Sequence, residues 1–175
     1  MKKSNKKELK VVLFGFQDEG KTNLLYRGLK DINNFKTIPT LPWNIETINI
    51  NGIDMTFWDI GGRVYRVKGD RERFLPIGDV IIFFIDSSQS VNPNDNCSDF
   101  KYNFEEFQKS LELIKDKPLL IAITKIDKRK VSTLDIIHAY QLNDLFKRKQ
   151  KVGIIECSSF TSQGIKEIKF WLSNI

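Results

Sequence analysis

A chain of 175 residues, 41% of them hydrophobic, has the size of one globular domain with enough apolar material to bury a proper core. No run approaches the roughly 18 apolar residues of a membrane span and the amino end lacks the apolar block of a secretory signal, so a cytoplasmic protein is expected. Cys97 and Cys157 are too few and too far apart for a disulfide framework or a clustered metal site.

Much of the net charge of +6 lies in "MKKSNKKELK", where Lys2, Lys3, Lys6, Lys7 and Lys10 face a single Glu8. Residues 1–8 read as a basic arm, either a solvated terminus or a weak tether to an anionic membrane surface at about 1 kcal/mol per lysine. The remaining basic clusters, 125–130 and 147–151, have no interleaved stacking aromatics. They read as solvated faces, and no nucleic-acid partner is expected.

The apolar run at 9–16 predicts a buried strand leading straight into a Gly-rich loop, with a helix following at about 21–30. Alternating residues on either side of Asn51-Gly52 predict an antiparallel hairpin, because this dipeptide favours a tight turn with positive φ. Continuous apolar runs at 80–86, 118–124 and 152–157 predict strands covered on both faces. Residues 87–100, rich in Asn, Asp and Ser, read as a long surface loop. Two helical stripes follow from spacing, one through Phe100, Phe104, Phe107, Leu111 and Ile114, the other through Ile165, Ile168, Trp171 and Leu172. Ser132, with Asp135 three residues on, marks another helix start. His138 lies inside that helix with no metal-ligand neighbours and reads as an ordinary helix residue. The alternation predicts an α/β domain over 9–175, a mostly parallel sheet with one antiparallel edge strand and helices on both faces. Ligands then bind at the carboxyl ends of the strands.

The spacing Gly15-x-x-x-x-Gly20-Lys21-Thr22, after a strand and opening a helix, is that of a phosphate-binding loop. Backbone amides at the helix start face the anion, Lys21 supplies positive charge between the outer phosphates, and Thr22 can ligate Mg²⁺. Asp18 and Glu19 share the sign of phosphate. With the cradle built from main-chain N–H groups, the side chains at 17–19 are expected to point outward and to oppose phosphate only weakly through space. In "WDIGG", Asp59 ends a strand where it can orient a water of the Mg²⁺ shell, and the following glycines let an amide approach a terminal phosphate. In "TKID", Asp127 suits the paired donors that guanine offers and adenine lacks.

These motifs, with TIPT and CSS in the same order, resemble those of a Ras-superfamily small GTPase, and "TIPTLPWNIETI" (37–48) resembles the first switch of the ADP-ribosylation-factor (Arf/Arl) family. The likeness runs from about Lys6 to Ile175. It implies the P-loop NTPase fold with six strands and five helices, and a GTP/GDP switch that uses Mg²⁺ and serves intracellular transport. By the same resemblance Thr22 and Thr40 are Mg²⁺ ligands with Asp59 as water partner, Thr40 senses the γ-phosphate, and Gly62 donates its amide to it. Gly15, Asp18, Glu19, Gly20, Lys21, Thr22 and Asn23 form the phosphate side of the nucleotide site. Thr124, Lys125 and Asp127 hold the base, with Cys157, Ser158 and Ser159 closing over it and the Ser158 backbone meeting the guanine oxygen. Trp43, Trp58 and Phe74 match the family's exposed aromatic triad, an effector surface. A guanine-nucleotide exchange factor and a GTPase-activating protein are the further implied partners of a monomer.

Four positions depart from the pattern. Arg63 replaces the glutamine that positions the attacking water, and its five donors with no acceptor imply slow hydrolysis or a charge-stabilising role in cis. With Lys21 and Gly62 it completes the catalytic set. Thr124 replaces an asparagine, which implies weaker base affinity. Pro42 replaces a glycine and fixes φ in the switch. Lys2 replaces the glycine that N-myristoylation needs, and "WLSNI" has no cysteine for prenylation, so no lipid anchor is expected. The main alternative is a hydrolysis-deficient, nucleotide-binding scaffold. A small-molecule kinase is disfavoured because no acceptor site or arginine-rich lid is visible.

Overall fold

The computed structural model describes residues 8–36, 43–62, 70–95 and 99–175. The lysines at 2–7, Thr40, Pro42, Arg63 and Cys97 lie outside them. Six strands form a single sheet: β1 (Leu9–Phe14), β2 (Trp43–Ile50), β3 (Ile53–Ile60), β4 (Val80–Asp86), β5 (Leu119–Thr124) and β6 (Val152–Glu156). Their order is β2-β3-β1-β4-β5-β6, with only β2 antiparallel to its neighbour.

The strands form where sequence pattern and position agree. β4 and β5 are buried along their whole length, as continuous apolar runs in the middle of a sheet should be, whereas β2 on the edge alternates between exposed and half-buried residues. Asn51 and Gly52 both adopt positive φ, 50° and 86°, the backbone a two-residue hairpin turn requires.

Side chains leave each strand alternately to two faces and build two cores. On one face Val12, Phe14, Phe83 and Ile121 pack with Phe107, Leu111 and Ile136 from α3 (Phe100–Leu113) and α4 (Thr133–Ala139). On the other, Val11, Leu13, Phe84 and Ala122 meet Leu24, Leu25, Ile165 and Ile168, carried by the helix after β1 and by α5 (Ile165–Ser173). Both predicted helical stripes thus face cores. Ser132 caps α4 by accepting the Asp135 amide at 3.1 Å.

The helix expected at 21–30 begins as α1 (Lys21–Asn23) and widens into a π-helical stretch (Leu24–Leu29). Gly28 lies in that stretch, and a Cβ there would fall 2.8 Å from the Ile165 Cδ1, so the glycine admits close packing against α5. A short α2 (Asp70–Phe74) precedes β4. Five of the six strands run parallel, so the turns after Phe14, Ile60, Asp86, Thr124 and Glu156 emerge along one rim.

Candidate functional site

At that rim the loop after β1 turns sharply, with Asp18 at φ 64° and Gly20 at φ 92°. Gln17 and Asp18 are exposed, as expected. Glu19 is not, and the expectation that all three side chains point outward fails there: Glu19 is buried, and its Oε2 accepts the Phe16 amide at 2.6 Å. The turn explains the inversion, because left-handed Asp18 reverses the chain and aims the next side chain under the loop. The space it fills exists only because residue 15 is glycine, since a Cβ at Gly15 would lie 2.5 Å from Glu19 Oε2.

Lys21 is buried beside it, its ammonium donating to the carbonyls of Gly15 (2.9 Å) and Phe16. Burial lowers the lysine's pKa, opposed by the charges of Glu19, Asp59 and Asp18. Burial lifts the Glu19 carboxyl to about 8, opposed first by Lys21.

Thr22 donates its hydroxyl to Asp59 Oδ2 at 2.6 Å, joining the helix start to the end of β3. Asp59 is fully buried. A hydroxyl and a carboxylate at that distance are a hard-oxygen pair that suits Mg²⁺, which takes few protein ligands and fills its shell with water and phosphate oxygens. Among the described residues no group of three or more His, Cys, Asp or Glu is placed to hold a metal ion. Gly62 abuts the phosphate loop so closely that a Cβ on it would collide with the Gln17 backbone.

The base side differs in detail from expectation. Asp127 is exposed at the rim, and its Oδ1 accepts the Ser158 hydroxyl at 2.6 Å. The same Ser158 oxygen accepts the amides of Phe160 and Thr161, both at 3.2 Å. Ser158's own amide donates to Gln163 O at 3.0 Å, and its side chain orients Asp127. Cys157 lies beneath, and burial pushes its thiol up to about 12, which leaves it inert.

The side chains of Thr124 and Lys125 are engaged with protein partners. The Thr124 hydroxyl bonds the carbonyls of Glu19 (2.8 Å) and Ile85 (3.2 Å), tying β5 to the phosphate loop. Lys125 has positive φ, 55°, and its ammonium pairs with Asp86 Oδ2 at 2.7 Å. Asp86, which sequence reading passed over, is buried and also accepts the amide and hydroxyl of Ser88. An acid closing an otherwise apolar strand was the available signal. Phe160, also passed over, is exposed beneath two cations, Arg27 at 4.5 Å and Lys128 at 5.7 Å from its ring centre.

The aromatic triad needs correction. Trp43 is 40% exposed, but Phe74 is 4% exposed and Trp58 only partly so. Phe74 turns into the core behind the 3₁₀ turn Leu75–Ile77, leaving its ring 5.6 Å from that of Trp43, with the Arg73 guanidinium over both.

A Gly-rich loop after β1, a hydroxyl–carboxylate pair and an exposed aspartate thus lie along one rim. The model of the ADP-ribosylation factor family matches residues 1–175. ADP-ribosylation factor J of Dictyostelium discoideum is 30% identical over 170 residues, which cover 97% of this chain and 86% of that protein. ADP-ribosylation factor 3 of Arabidopsis thaliana is 29% identical over 169 residues, covering 96% and 88%. Among solved structures, the Arl6 small GTPase of Trypanosoma brucei with a bound nucleotide analogue, GppNp, has the same fold, with a TM-score of 0.73 over 96% of both chains at 23% identity. On the family match over its whole length and the 30% identity to a relative, the chain belongs to the ADP-ribosylation factor family of Ras-superfamily small GTPases.

Proposed function

We propose that the chain binds GTP and GDP together with Mg²⁺ and works as a switch that recruits effector proteins in its GTP-bound form, with slow hydrolysis of its own. The observation that carries this reading is the Ser158–Asp127 bond at one end of the rim and the Thr22–Asp59 bond at the other, coupled through the Thr124 hydroxyl on Glu19 O. Asp127 accepts from the guanine N1–H and exocyclic amine, and Ser158 holds the carboxylate in place for that pair. The loop amides and Lys21 bind the phosphates, Lys21 exchanging its carbonyl partners for phosphate oxygens. Thr22, Thr40 and a water shell ordered by Asp59 would hold the metal, which would supply positive charge to the phosphates. Gly62 supplies the amide that distinguishes GTP from GDP.

Trp43, exposed at the start of β2, is the centre of the effector surface, with Trp58 and Phe74 supporting it from below. An exchange factor and a GTPase-activating protein act on the same switch segments. The described residues include no helix long and apolar enough to cross a membrane. Contact with anionic lipid rests on the lysine arm, and flotation with phosphatidylserine vesicles at low and high salt tests it.

Calorimetric titration with GDP, GTP, ADP and ATP in the presence of Mg²⁺ tests the reading directly. Guanine nucleotides bind and adenine nucleotides bind at least about a hundredfold more weakly, as expected when a buried or oriented acceptor is left unpaired by the wrong base. Equal uptake of both bases, or of neither, refutes it.

A further inference from the structure

An acid inside a phosphate loop opposes the ligand that the loop is built to hold, and here the carboxyl is neither swung outward nor screened by water. Glu19 is held at both ends: its carbonyl accepts from Thr124 at 2.8 Å and its Oε2 accepts from Phe16 at 2.6 Å. It is 6% exposed, beside the equally buried Lys21. The charged and titratable groups that face it come from every neighbouring element: Lys21 from α1, Asp86 from the end of β4, Lys125 from the turn after β5, and Tyr140 from the end of α4. A cavity of about 390 Å³, lined by Glu19, Asp86, Asn103 and Tyr140 and opening past exposed Gln17 and Asp18, gives the carboxyl a route for proton exchange with solvent.

We infer that Glu19 is an affinity-setting residue of the nucleotide site in alkaline solution: there its carboxylate is a built-in counter-ion for Lys21, and phosphate binding drives a proton from solvent onto it. The inference rests on the nucleotide-binding reading above and deepens it. When phosphates enter, Lys21 leaves its loop carbonyls and turns its charge toward them, so Glu19 loses its compensating cation. A second negative charge arrives at the same time in a poorly hydrated site, where opposing charges are weakly screened. Both changes favour the neutral acid. Protonation breaks nothing, because Oε2 still accepts the Phe16 amide. Taking up one proton per nucleotide makes affinity fall as pH rises above the free carboxyl's titration near 8, approaching tenfold per pH unit.

The test is titration of full-length protein with GDP and Mg²⁺ at pH 6.5 to 9, in buffers of different ionisation enthalpy that count protons taken up. Wild type is expected to take up a proton at pH 8.5 and to weaken with pH. Glu19→Gln, which keeps the acceptor and removes the charge, is expected to take up none and to bind about tenfold more tightly at that pH. Wild type and Glu19→Gln binding alike, with the same proton count, overturns the inference while leaving nucleotide binding intact. Failure of both to bind GDP at any pH overturns the parent reading and the inference together. Should the variant not fold, the proton count of wild type decides alone, and a count of zero at pH 8.5 overturns the inference.

Discussion

The Thr124 hydroxyl donates to the carbonyl of Glu19 across 105 residues of sequence, and this single bond ties the end of β5 to the loop after β1. Replacing Thr124 with valine keeps the shape but leaves the Glu19 and Ile85 carbonyls without that donor in a buried setting. The expected cost is about 1 to 3 kcal/mol of stability, read as a lowered urea midpoint, with a parallel loss of guanine-nucleotide affinity. Thr124→Asn, which restores a donor at the position where the family commonly has that residue, is expected to recover most of both.

Glu19 also sets the pH response of the nucleotide-free protein. Its folded value of about 8 stands above the ordinary 4.5, so its contribution is complete below about pH 4.5 and is lost as pH rises through 8. Thermal melts of wild type and Glu19→Gln across pH 5 to 9 check this. The melting temperature of wild type is expected to fall relative to the variant over that window, and parallel curves contradict it.

Much of this was legible beforehand for identifiable reasons. Strand runs such as residues 80–86, the Asn51-Gly52 turn and the Ser132 cap are local signals, each with a mechanism that needs no knowledge of the rest of the chain. The nearness of Thr22 to Asp59 was readable because one opens the helix after the Gly-rich loop and the other lies at the end of β3, on the same rim. The inward turn of Glu19 was not, since it depends on the left-handed backbone of Asp18 and the missing side chain at Gly15 acting together. Nor were the Lys125–Asp86 ion pair, the Ser158 hydroxyl's bond to Asp127, or the burial of Phe74. Each is a choice among partners equally compatible with the sequence, made by tertiary geometry.

Asp127→Asn exchanges an acceptor for a mixed amide and removes the complement to guanine's two donors. Guanine nucleotides are expected to bind at least about a hundredfold more weakly, while xanthine nucleotides, with a carbonyl in place of the amine, gain relative to them. Ser158→Ala should weaken GDP binding by roughly fivefold, the scale of one lost orienting hydrogen bond, without changing base preference. Competition titrations with GDP, XDP and ADP separate the two effects.

Trp43 and Phe74 touch but differ in burial, so the same truncation has different consequences. Phe74→Ala is expected to cost about 3 to 5 kcal/mol through the cavity it leaves. Trp43→Ala is expected to cost far less stability and instead to abolish capture of partners by the GTP-loaded protein. Denaturant melts and pull-downs on GTP- and GDP-loaded protein check the pair together.

Arg63 follows directly after Gly62 in the chain, and the proposed hydrolysis offers a test of its role. An arginine has no acceptor with which to hold an attacking water, whereas an amide side chain offers both a donor and an acceptor. If positioning of water limits the rate, Arg63→Gln is expected to speed single-turnover GTP hydrolysis. Were the guanidinium instead to stabilise charge on the transferring phosphoryl group, the same variant would lose rate, toward the factor of about 10³ to 10⁵ that such arginines contribute. We expect the increase, because the group lost from this position is the one that orients water. A rapid-quench measurement with preloaded GTP and Mg²⁺, run on protein whose GDP affinity is unchanged by the substitution, distinguishes the two by sign alone.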